Sequence, residues 1–311
     1  MTAFGAESTA EEVLDGVDLT GTTVLITGTS SGLGVETARV LDERGARVIG
    51  VVRDVEKGRR SLDEVGATGV ELYEADLASL ASVRSFTDAF VADGGGPIDV
   101  LIANAGIMAC PRGATADGFE LQFGTNHLGH FVLVGRLLPQ LLAGAPSRVV
   151  VLSSAGHDWS DVSLDDPGFE RTTYDEWVAY GRAKTANVLF AVELDRRLQA
   201  SGVRATALHP GGIITDLGRH LTEASMNALV EGRGGADVTF KSVPQGAATT
   251  VWAGFVADPD EVGGRYCQDC AVAPVVDRPG DAGVMRYALD PDTARALWDL
   301  SEEMVGESFP T

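Results

Sequence analysis

Two residues that could move a proton stand four positions apart: Tyr180 and Lys184, in the sequence Y-G-R-A-K of the helix-like stretch 179–198. A spacing of four places both side chains on one helix face. A cation beside a phenol stabilises the phenolate and lowers the phenol's pKa from about 10 toward neutrality. The pair is therefore suited to give a proton to a carbonyl oxygen or to take one from an alcohol. By itself the spacing is weak evidence, because tyrosine and lysine often share a helix face without chemical purpose.

A glycine-rich turn follows the first apolar run of the chain. The sequence T-G-T-S-S-G-L-G spans residues 27–34 and leads into a helix-like stretch. Small residues let such a turn bring main-chain N–H groups up to a pyrophosphate at the helix N-terminus. Glycine turns also form without a ligand, but the position between a first strand and a first helix favours nucleotide binding. The residues predicted to surround the phosphates are Gly28, Ser30, Ser31, Gly32, Leu33 and Gly34.

Apolar runs of strand length alternate with amphipathic stretches of helix length. Strands are predicted at 23–27, 46–52, 70–75, 98–103, 148–153 and 203–208, with a seventh near 263–267. Helices are predicted near 33–44, 56–64, 79–92, 117–142, 174–201 and 244–257. Because several of the strands are almost continuously apolar, they are expected to be parallel and buried on both faces. The pattern predicts a Rossmann-type, doubly wound α/β fold with a mainly parallel seven-stranded sheet and helices on both faces.

The domain organisation follows from the same pattern. Residues 1–20 are predicted to be a polar N-terminal lead-in with a short helix, and residues 21–311 a single domain. Residues 216–242 interrupt the alternation with scattered apolar positions and the segment E-G-R-G-G-A-D. They could be a surface excursion, but their position beside the expected site favours a substrate lid.

Composition narrows the range of partners. The 311-residue chain has a formal net charge of −21 at pH 7, which disfavours nucleic acid and anionic membrane surfaces. The sequence shows no secretory signal and no membrane-spanning run, so a cytoplasmic location is expected. Cys267 and Cys270 form a C-x-x-C pair without further ligands at matched spacing, and the pair is interpreted as structural, with no metal site.

With the glycine turn and the Tyr–Lys pair in place, further motifs follow in a recognisable order. They are Asp76-Leu77, Asn104-Ala105-Gly106, Asn126 in T-N-H-L-G-H-F, Ser153-Ser154 and His209-Pro210-Gly211. Together they resemble the short-chain dehydrogenase/reductase family over residues 10–305. The segments S-S-A-G-H, A-Y-G-R-A-K-T-A-N-V-L-F and G-G-R-Y-C-Q-D-C are similar to its retinol-dehydrogenase-like and WW-domain-oxidoreductase-like branch. One departure is Ala183, where that branch often has serine.

The resemblance implies a role for each matching residue. Tyr180 would be the general acid/base, and Lys184 would lower its pKa and bind the nicotinamide ribose. Ser154, the second serine of its pair, would hold the substrate oxygen, and Asn126 would support a water-linked proton relay. Cofactor contacts are also implied for residues at the ends of the later strands: Asp76, Leu77, Asn104, Ala105, Gly106, Pro210, Gly211, Ile213 and Thr215.

The end of the second predicted strand bears on the choice of cofactor. NAD-binding chains usually place an acid there to hold both ribose hydroxyls, but this chain has Val52 followed by Arg53 and Asp54. Arg53 could bind a 2′-phosphate through two hydrogen bonds. NADP is therefore predicted, and NAD remains the alternative because a shifted loop could bring Asp54 to the ribose.

The sequence thus predicts an NADP(H)-dependent oxidoreductase for a small-molecule carbonyl or alcohol, bulky and lipophilic if the branch resemblance extends to the substrate. Two alternatives stay open: an epimerase or dehydratase acting on a nucleotide sugar, and a non-catalytic NADP(H)-binding regulatory protein. His157 and His209 are interpreted as structural or substrate-pocket residues, because no nucleophile elbow surrounds Ser154. Family members often pair through the helices near 117–142 and 174–201, which leaves a homo-oligomer open.

Overall fold

A twisted parallel sheet forms the centre of the protein. The computed structural model describes residues 4–219, 221 and 240–310. The parallel strands are β1 (Thr23–Thr27), β2 (Arg47–Val52), β3 (Glu71–Glu74), β4 (Val100–Ala103), β5 (Ser147–Leu152), β6 (Val203–His209) and β7 (Tyr266–Gln268). They lie in the order β3-β2-β1-β4-β5-β6-β7, and the two-residue strand β8 (Ala271–Val272) adds an antiparallel edge. The predicted seven parallel strands are therefore confirmed, with one short strand in addition.

Helices cover both faces of the sheet. Those in the first half are α1 (Ala10–Val13), α2 (Gly32–Glu43), α3 (Val55–Glu64), α4 (Leu80–Ala92), α5 (Leu121–Phe123), α6 (Gly129–Arg136) and α7 (Leu138–Ala143). Those in the second half are α8 (Glu176–Leu198), α9 (Val243–Val251), α10 (Pro259–Val262) and α11 (Pro291–Val305). A second pair of short strands, β9 (Val275–Val276) and β10 (Val284–Met285), lies outside the main sheet. None of the helices in the described residues is long and apolar enough to cross a membrane.

The predicted helix over 117–142 differs most from the structure. It begins only after Glu120, whose carboxylate accepts hydrogen bonds from the main-chain N–H groups of Gln122 and Phe123. One turn of π-helix, Gly124–Leu128, then separates α5 from α6. Such π turns often occur at functional sites, and this one contains Asn126.

The order of the strands determines where a ligand can bind. β1 pairs with β2 on one side and with β4 on the other, so the chain reverses its direction of winding at β1. Such a reversal opens a crevice at the carboxyl ends of the strands. Two large apolar clusters, one on each face, hold the sheet between its helices. Most of the predicted lid, 216–242, lies outside the described residues.

Candidate active site

A cavity of about 1310 Å³ opens at the carboxyl ends of the parallel strands. Every residue predicted to contact the cofactor lines it: Gly28, Ser30, Ser31, Gly32, Leu33, Gly34, Arg53, Asp76, Leu77, Asn104, Ala105, Gly106, Tyr180, Lys184, Pro210, Gly211, Ile213 and Thr215. Of the four residues predicted to be catalytic, Ser154, Tyr180 and Lys184 also line the cavity, whereas Asn126 lies just behind its wall. The structure thus brings together motifs that are up to 187 residues apart in the sequence.

The glycine turn is shaped to receive a pyrophosphate. Gly28 and Gly32 have φ of +81° and +55°, which favours glycine at both positions. A Cβ at Gly34 would lie 2.2 Å from the carbonyl oxygen of Gly28, so only glycine keeps the turn this tight. Ser31 is the N-cap of α2, but its side chain makes no capping hydrogen bond. The N–H groups at the N-terminus of α2 therefore donate no bond to the side chain of this cap, which fits a bound phosphate group.

The far wall of the crevice comes from the segment after β6. The Cβ and Cγ2 atoms of Thr215 lie 3.2 and 3.1 Å from where a Cβ on Gly32 would stand. Ile213 similarly faces Leu33, because both would touch a Cβ placed on Gly246. The segment after β6 therefore packs closely against the start of α2, and residues of both line the cavity.

Arg53 and Asp54 have different environments at the end of β2. The Asp54 carboxylate caps α3 by accepting a hydrogen bond from the main-chain N–H of Lys57 at 2.8 Å, whereas Arg53 lines the cavity. Lys57 lines it as well, and its ammonium lies 3.3 Å from a carboxylate oxygen of Asp216 on the opposite wall. The acid that could have competed for the ribose is therefore engaged in helix capping, and two cations face the same end of the crevice.

Ser154 and Tyr180 meet around Gly156. A Cβ at Gly156 would lie 2.7 Å from Cε1 of Tyr180 and 3.3 Å from Oγ of Ser154. The Ser154 hydroxyl oxygen accepts a hydrogen bond from the main-chain N–H of Gly156 at 3.0 Å, which leaves its hydrogen available to donate. Ser153, in contrast, donates its hydroxyl hydrogen to the carbonyl oxygen of Lys184 at 2.8 Å.

Lys184 is a buried cation next to the tyrosine. Its ammonium donates to the carbonyl oxygen of Leu152 at 2.9 Å and lies 5.7 Å from the centre of the Tyr180 ring. Burial lowers the pKa of Lys184 to about 8. The Leu152 carbonyl also accepts a bond from the side-chain amide of Asn187, one turn further along α8. The lysine is thus held by a neutral acceptor, and its remaining N–H groups can serve a ligand.

Asn126 is fixed from both sides within the π turn. Its side-chain amide exchanges two hydrogen bonds with the main chain of Ile107, at 2.9 and 3.0 Å. The main-chain carbonyl oxygen of Asn126 accepts a bond from Nδ1 of His130 at 2.9 Å. A Cβ on Gly106 would lie 3.2 Å from Oδ1 of Asn126 and 3.7 Å from the Lys184 nitrogen. The asparagine and the lysine therefore lie close together behind the cavity wall.

The tautomer of His130 follows from its partners. A carbonyl oxygen only accepts, so Nδ1 must carry the proton that bonds to Asn126. Nε2 lies 2.9 Å from Oγ1 of Thr27, which already accepts bonds from the main-chain N–H groups of Asn104 and Ala105. The threonine hydroxyl therefore donates to Nε2. Burial lowers the pKa of His130 to about 4, so the ring is neutral at pH 7.

The part of the cavity beyond Tyr180 is aromatic and apolar. Trp159 and Trp177 stack with ring centres 5.3 Å apart, and Trp177 meets the Tyr180 ring edge-on. Met108 packs against this aromatic cluster, and Met285 also lines the cavity. These four residues carry no common sequence signal, because they are far apart in the chain and belong to no shared motif. His157 and His209, interpreted above as structural or pocket residues, both line the cavity.

The chain is similar to known proteins in both sequence and structure. The sequence model described as short chain dehydrogenase matches residues 22–226. The short-chain dehydrogenase/reductase prx1 of Penicillium rubens is 42% identical over 90% of this chain and 84% of its own. Retinol dehydrogenase 14 of Homo sapiens is 40% identical over 92% of this chain and 87% of its own. A crystal structure of an uncharacterised protein from Mycobacterium paratuberculosis is 38% identical, with a TM-score of 0.74 and complete coverage of both chains.

Proposed function

The chain belongs to the short-chain dehydrogenase family and is an NAD(P)-dependent oxidoreductase acting on CH–OH groups; on this premise, we propose that it transfers a hydride between NADP(H) and a bulky, apolar carbonyl or alcohol. The observation that carries the proposal is the convergence of Ser154, Tyr180 and Lys184 at one end of the nucleotide crevice. The nicotinamide, when bound, supplies or accepts the hydride.

In the reducing direction, negative charge develops on the substrate oxygen and has to be stabilised. The hydrogen of the Ser154 hydroxyl is available for this oxygen, because the hydroxyl's acceptor side is taken by Gly156. Ser153 is a poor candidate for this role, because its hydrogen is engaged by the carbonyl of Lys184. Ser154 would therefore hold and polarise the oxygen, while Tyr180 donates the proton to it.

Lys184 would support the tyrosine electrostatically and through a ligand. Its ammonium lies 5.7 Å from the centre of the Tyr180 ring in a buried position, where a charge acts strongly on its neighbours. A nicotinamide ribose in the crevice would offer hydroxyl groups to the remaining N–H groups of the ammonium. Asn126, held by Ile107 and His130 beside the lysine, would support the relay that returns a proton to the tyrosine.

The preference for NADP rests on Arg53. Arg53 lines the crevice directly after β2, and the neighbouring Asp54 carboxylate caps α3. A guanidinium binds a phosphate by charge-assisted hydrogen bonds that the ribose hydroxyl of NAD cannot match. The stacked Trp159 and Trp177 and the two methionines support the choice of a bulky, apolar substrate.

The decisive experiment compares the unmodified protein with Tyr180→Phe on a panel of aldehydes and ketones that includes hexanal and 2-naphthaldehyde. Oxidation of NADPH and of NADH is followed by absorbance at limiting cofactor. We expect faster turnover with NADPH and a loss of at least about 100-fold in kcat for the variant, with NADPH affinity retained. Near-normal turnover by Tyr180→Phe would contradict the mechanism, and faster turnover with NADH would contradict the cofactor preference.

The cytoplasmic location and the single-domain organisation stay predictions of the sequence. Both alternatives, an epimerase or dehydratase acting on a nucleotide sugar and a regulatory NADP(H)-binding protein, predict cofactor binding without net oxidation of added NADPH. The assay therefore separates the proposed function from both. Product formation from a nucleotide sugar would then separate the two alternatives from each other.

A further inference from the structure

We propose that His157 is a positioning residue that connects the catalytic serine to the substrate side of the cavity. The inference rests on the proposed function, in which Ser154 holds the substrate oxygen. The segment that His157 connects to Ser154 is 275–285, here called the substrate-side wall. Six residues of this wall line the cavity: Val276, Gly280, Asp281, Ala282, Gly283 and Met285.

The two ring nitrogens of His157 bond to different parts of the site. Nδ1 lies 2.7 Å from the carbonyl oxygen of Ser154, and Nε2 accepts a bond from the main-chain N–H of Met285 at 3.0 Å. A main-chain N–H only donates and a carbonyl oxygen only accepts, so the proton must lie on Nδ1. A neutral imidazole in this one tautomer satisfies both partners, and the hydroxyl oxygen of Tyr266, 3.5 Å from Nδ1, can accept from the same proton.

Two further bonds join the same turn to the wall and to the residues that follow it. The Asp158 carboxylate accepts a bond from the main-chain N–H of Gly280 at 2.9 Å. The hydroxyl of Tyr287 donates to the carbonyl oxygen of His157 at 2.7 Å. The short 3₁₀ turn Ala155–Trp159 is therefore hydrogen-bonded to the substrate-side wall through His157 and Asp158.

This turn also orients the serine. Ser154 caps the turn, its hydroxyl oxygen accepts the Gly156 N–H, and its carbonyl oxygen accepts both the main-chain N–H and Nδ1 of His157. A displacement of Met285 by a substrate would act through the imidazole on the main chain of Ser154. His157 thus makes the position of the serine depend on how the wall is packed.

Two substitutions separate the two functions of the ring. The amide of asparagine reaches the position of Nδ1, and the terminal amide of glutamine reaches the position of Nε2. His157→Asn can therefore keep the bond to the Ser154 carbonyl while losing the one from Met285. His157→Gln can keep the bond from Met285 while losing the one to Ser154. Each variant therefore serves as the control for the other.

The two variants are expected to fail differently with NADPH as cofactor. For His157→Gln, kcat should fall about tenfold with both hexanal and 2-naphthaldehyde, with KM unchanged within about twofold. For His157→Asn, kcat should stay within about twofold, while KM for 2-naphthaldehyde rises about fivefold to tenfold and KM for hexanal changes little. If kcat falls and KM rises by the same factors in both variants, His157 is only a packing residue and the proposal is overturned.

The tautomer provides a test that needs no turnover. In the unmodified protein, long-range ¹H–¹⁵N NMR spectra should show His157 protonated at Nδ1 and unprotonated at Nε2, with the ring assigned through its contact with the Tyr266 ring. Protonation at Nε2 would overturn the proposal even if both variants fail to fold. If the unmodified protein reduces no carbonyl with either cofactor, the proposed function fails, and the tautomer still decides whether His157 joins Ser154 to the wall.

Discussion

His130 donates a hydrogen bond from Nδ1 to the carbonyl oxygen of Asn126, and its other ring nitrogen accepts one from Thr27 at the end of β1. Thr27 in turn accepts the main-chain N–H groups of Asn104 and Ala105, which line the nucleotide crevice. One neutral ring therefore connects the asparagine beside Lys184 with the turn that would hold the cofactor. The arrangement makes the geometry of the π turn depend on the first strand.

Replacing His130 by Phe should impair catalysis and stability together. The variant removes both bonds, leaving the Asn126 carbonyl without the imidazole donor and the Thr27 hydroxyl without its acceptor. We expect a free energy of unfolding lower by about 1–3 kcal/mol and a kcat lower by about tenfold. Urea denaturation and steady-state kinetics with NADPH measure the two effects.

His127 provides the matched control for His130. It lies in the π turn itself, three residues before His130, and is equally buried, but its Nε2 bonds to Ser301 of the C-terminal helix α11 at 2.8 Å. His127→Phe should therefore lower stability while kcat changes by less than about twofold. Equal loss of kcat in the two variants would show that His130 contributes only to packing.

Gly156 should be intolerant of a side chain because Ser154 and Tyr180 approach each other there. A methyl group would stand 2.7 Å from the Tyr180 ring and push it away from the serine. We expect Gly156→Ala to lower kcat by about 10- to 100-fold while NADPH affinity changes little. Gly168→Ala, in the same connection between β5 and α8, is the control, since its nearest contact would be 3.7 Å away. Equal activity of the two variants would contradict this account of the site.

We expect Lys184 to lower the free energy of unfolding in the absence of cofactor. Burial lowers its pKa from 10.5 to about 8, so between these pH values the unfolded chain binds more protons and stability rises with pH. Lys184→Met should therefore raise the free energy of unfolding at pH 7 by about 1–3 kcal/mol, with a gain that shrinks as pH approaches 10.5. Urea denaturation across this range measures it, with Lys57→Met, an exposed lysine, as control. A variant destabilised at every pH would show that the bond to Leu152 outweighs the burial of charge.

Arg53 should determine the preference for NADPH. Arg53→Ala removes the guanidinium proposed to bind the 2′-phosphate, so KM for NADPH should rise by at least about tenfold. KM for NADH should change by less than about twofold, because NADH carries no such phosphate. Arg60→Ala is the control, since it removes an exposed cation from α3, the helix that follows Arg53 in the chain. An equal rise of KM for both cofactors would place Arg53 outside the phosphate site.

The C-terminal helix bears on the homo-oligomer left open by the sequence. Trp298 of α11 packs against Phe131 of α6 and Phe190 of α8, with ring centres 5.0 and 5.9 Å apart. Phe309 lies against Gly135 of α6. Because residues 291–309 cover these faces, we expect no dimer through α6 and α8. Any oligomer detected by multi-angle light scattering should therefore leave the hydrogen exchange of these helices unchanged. A dimer whose formation protects these helices from hydrogen exchange would contradict this expectation.

The fold could be predicted from the sequence because its signals are local. The strands β1, β4 and β5 are short apolar runs, and each is followed by a motif that the parallel order brings to the same edge of the sheet. The glycine spacing of 28–34 needs only the turn and the following helix to make a phosphate site. Residues 220 and 222–239, most of the predicted lid, lie outside the described residues, so the lid stays a prediction.

What the sequence could not supply are the contacts between distant residues. The sequence predicts a continuous helix over 117–142, whereas the π turn that contains Asn126 is held by contacts with Ile107 and His130. Asp54 could have faced the ribose until the structure showed it capping α3. The sequence by itself thus determined the family and the sheet, and it predicted the residues of the site. Only the tertiary structure decided which nitrogen of His157 carries its proton, because that depends on Met285, 128 residues further along the chain.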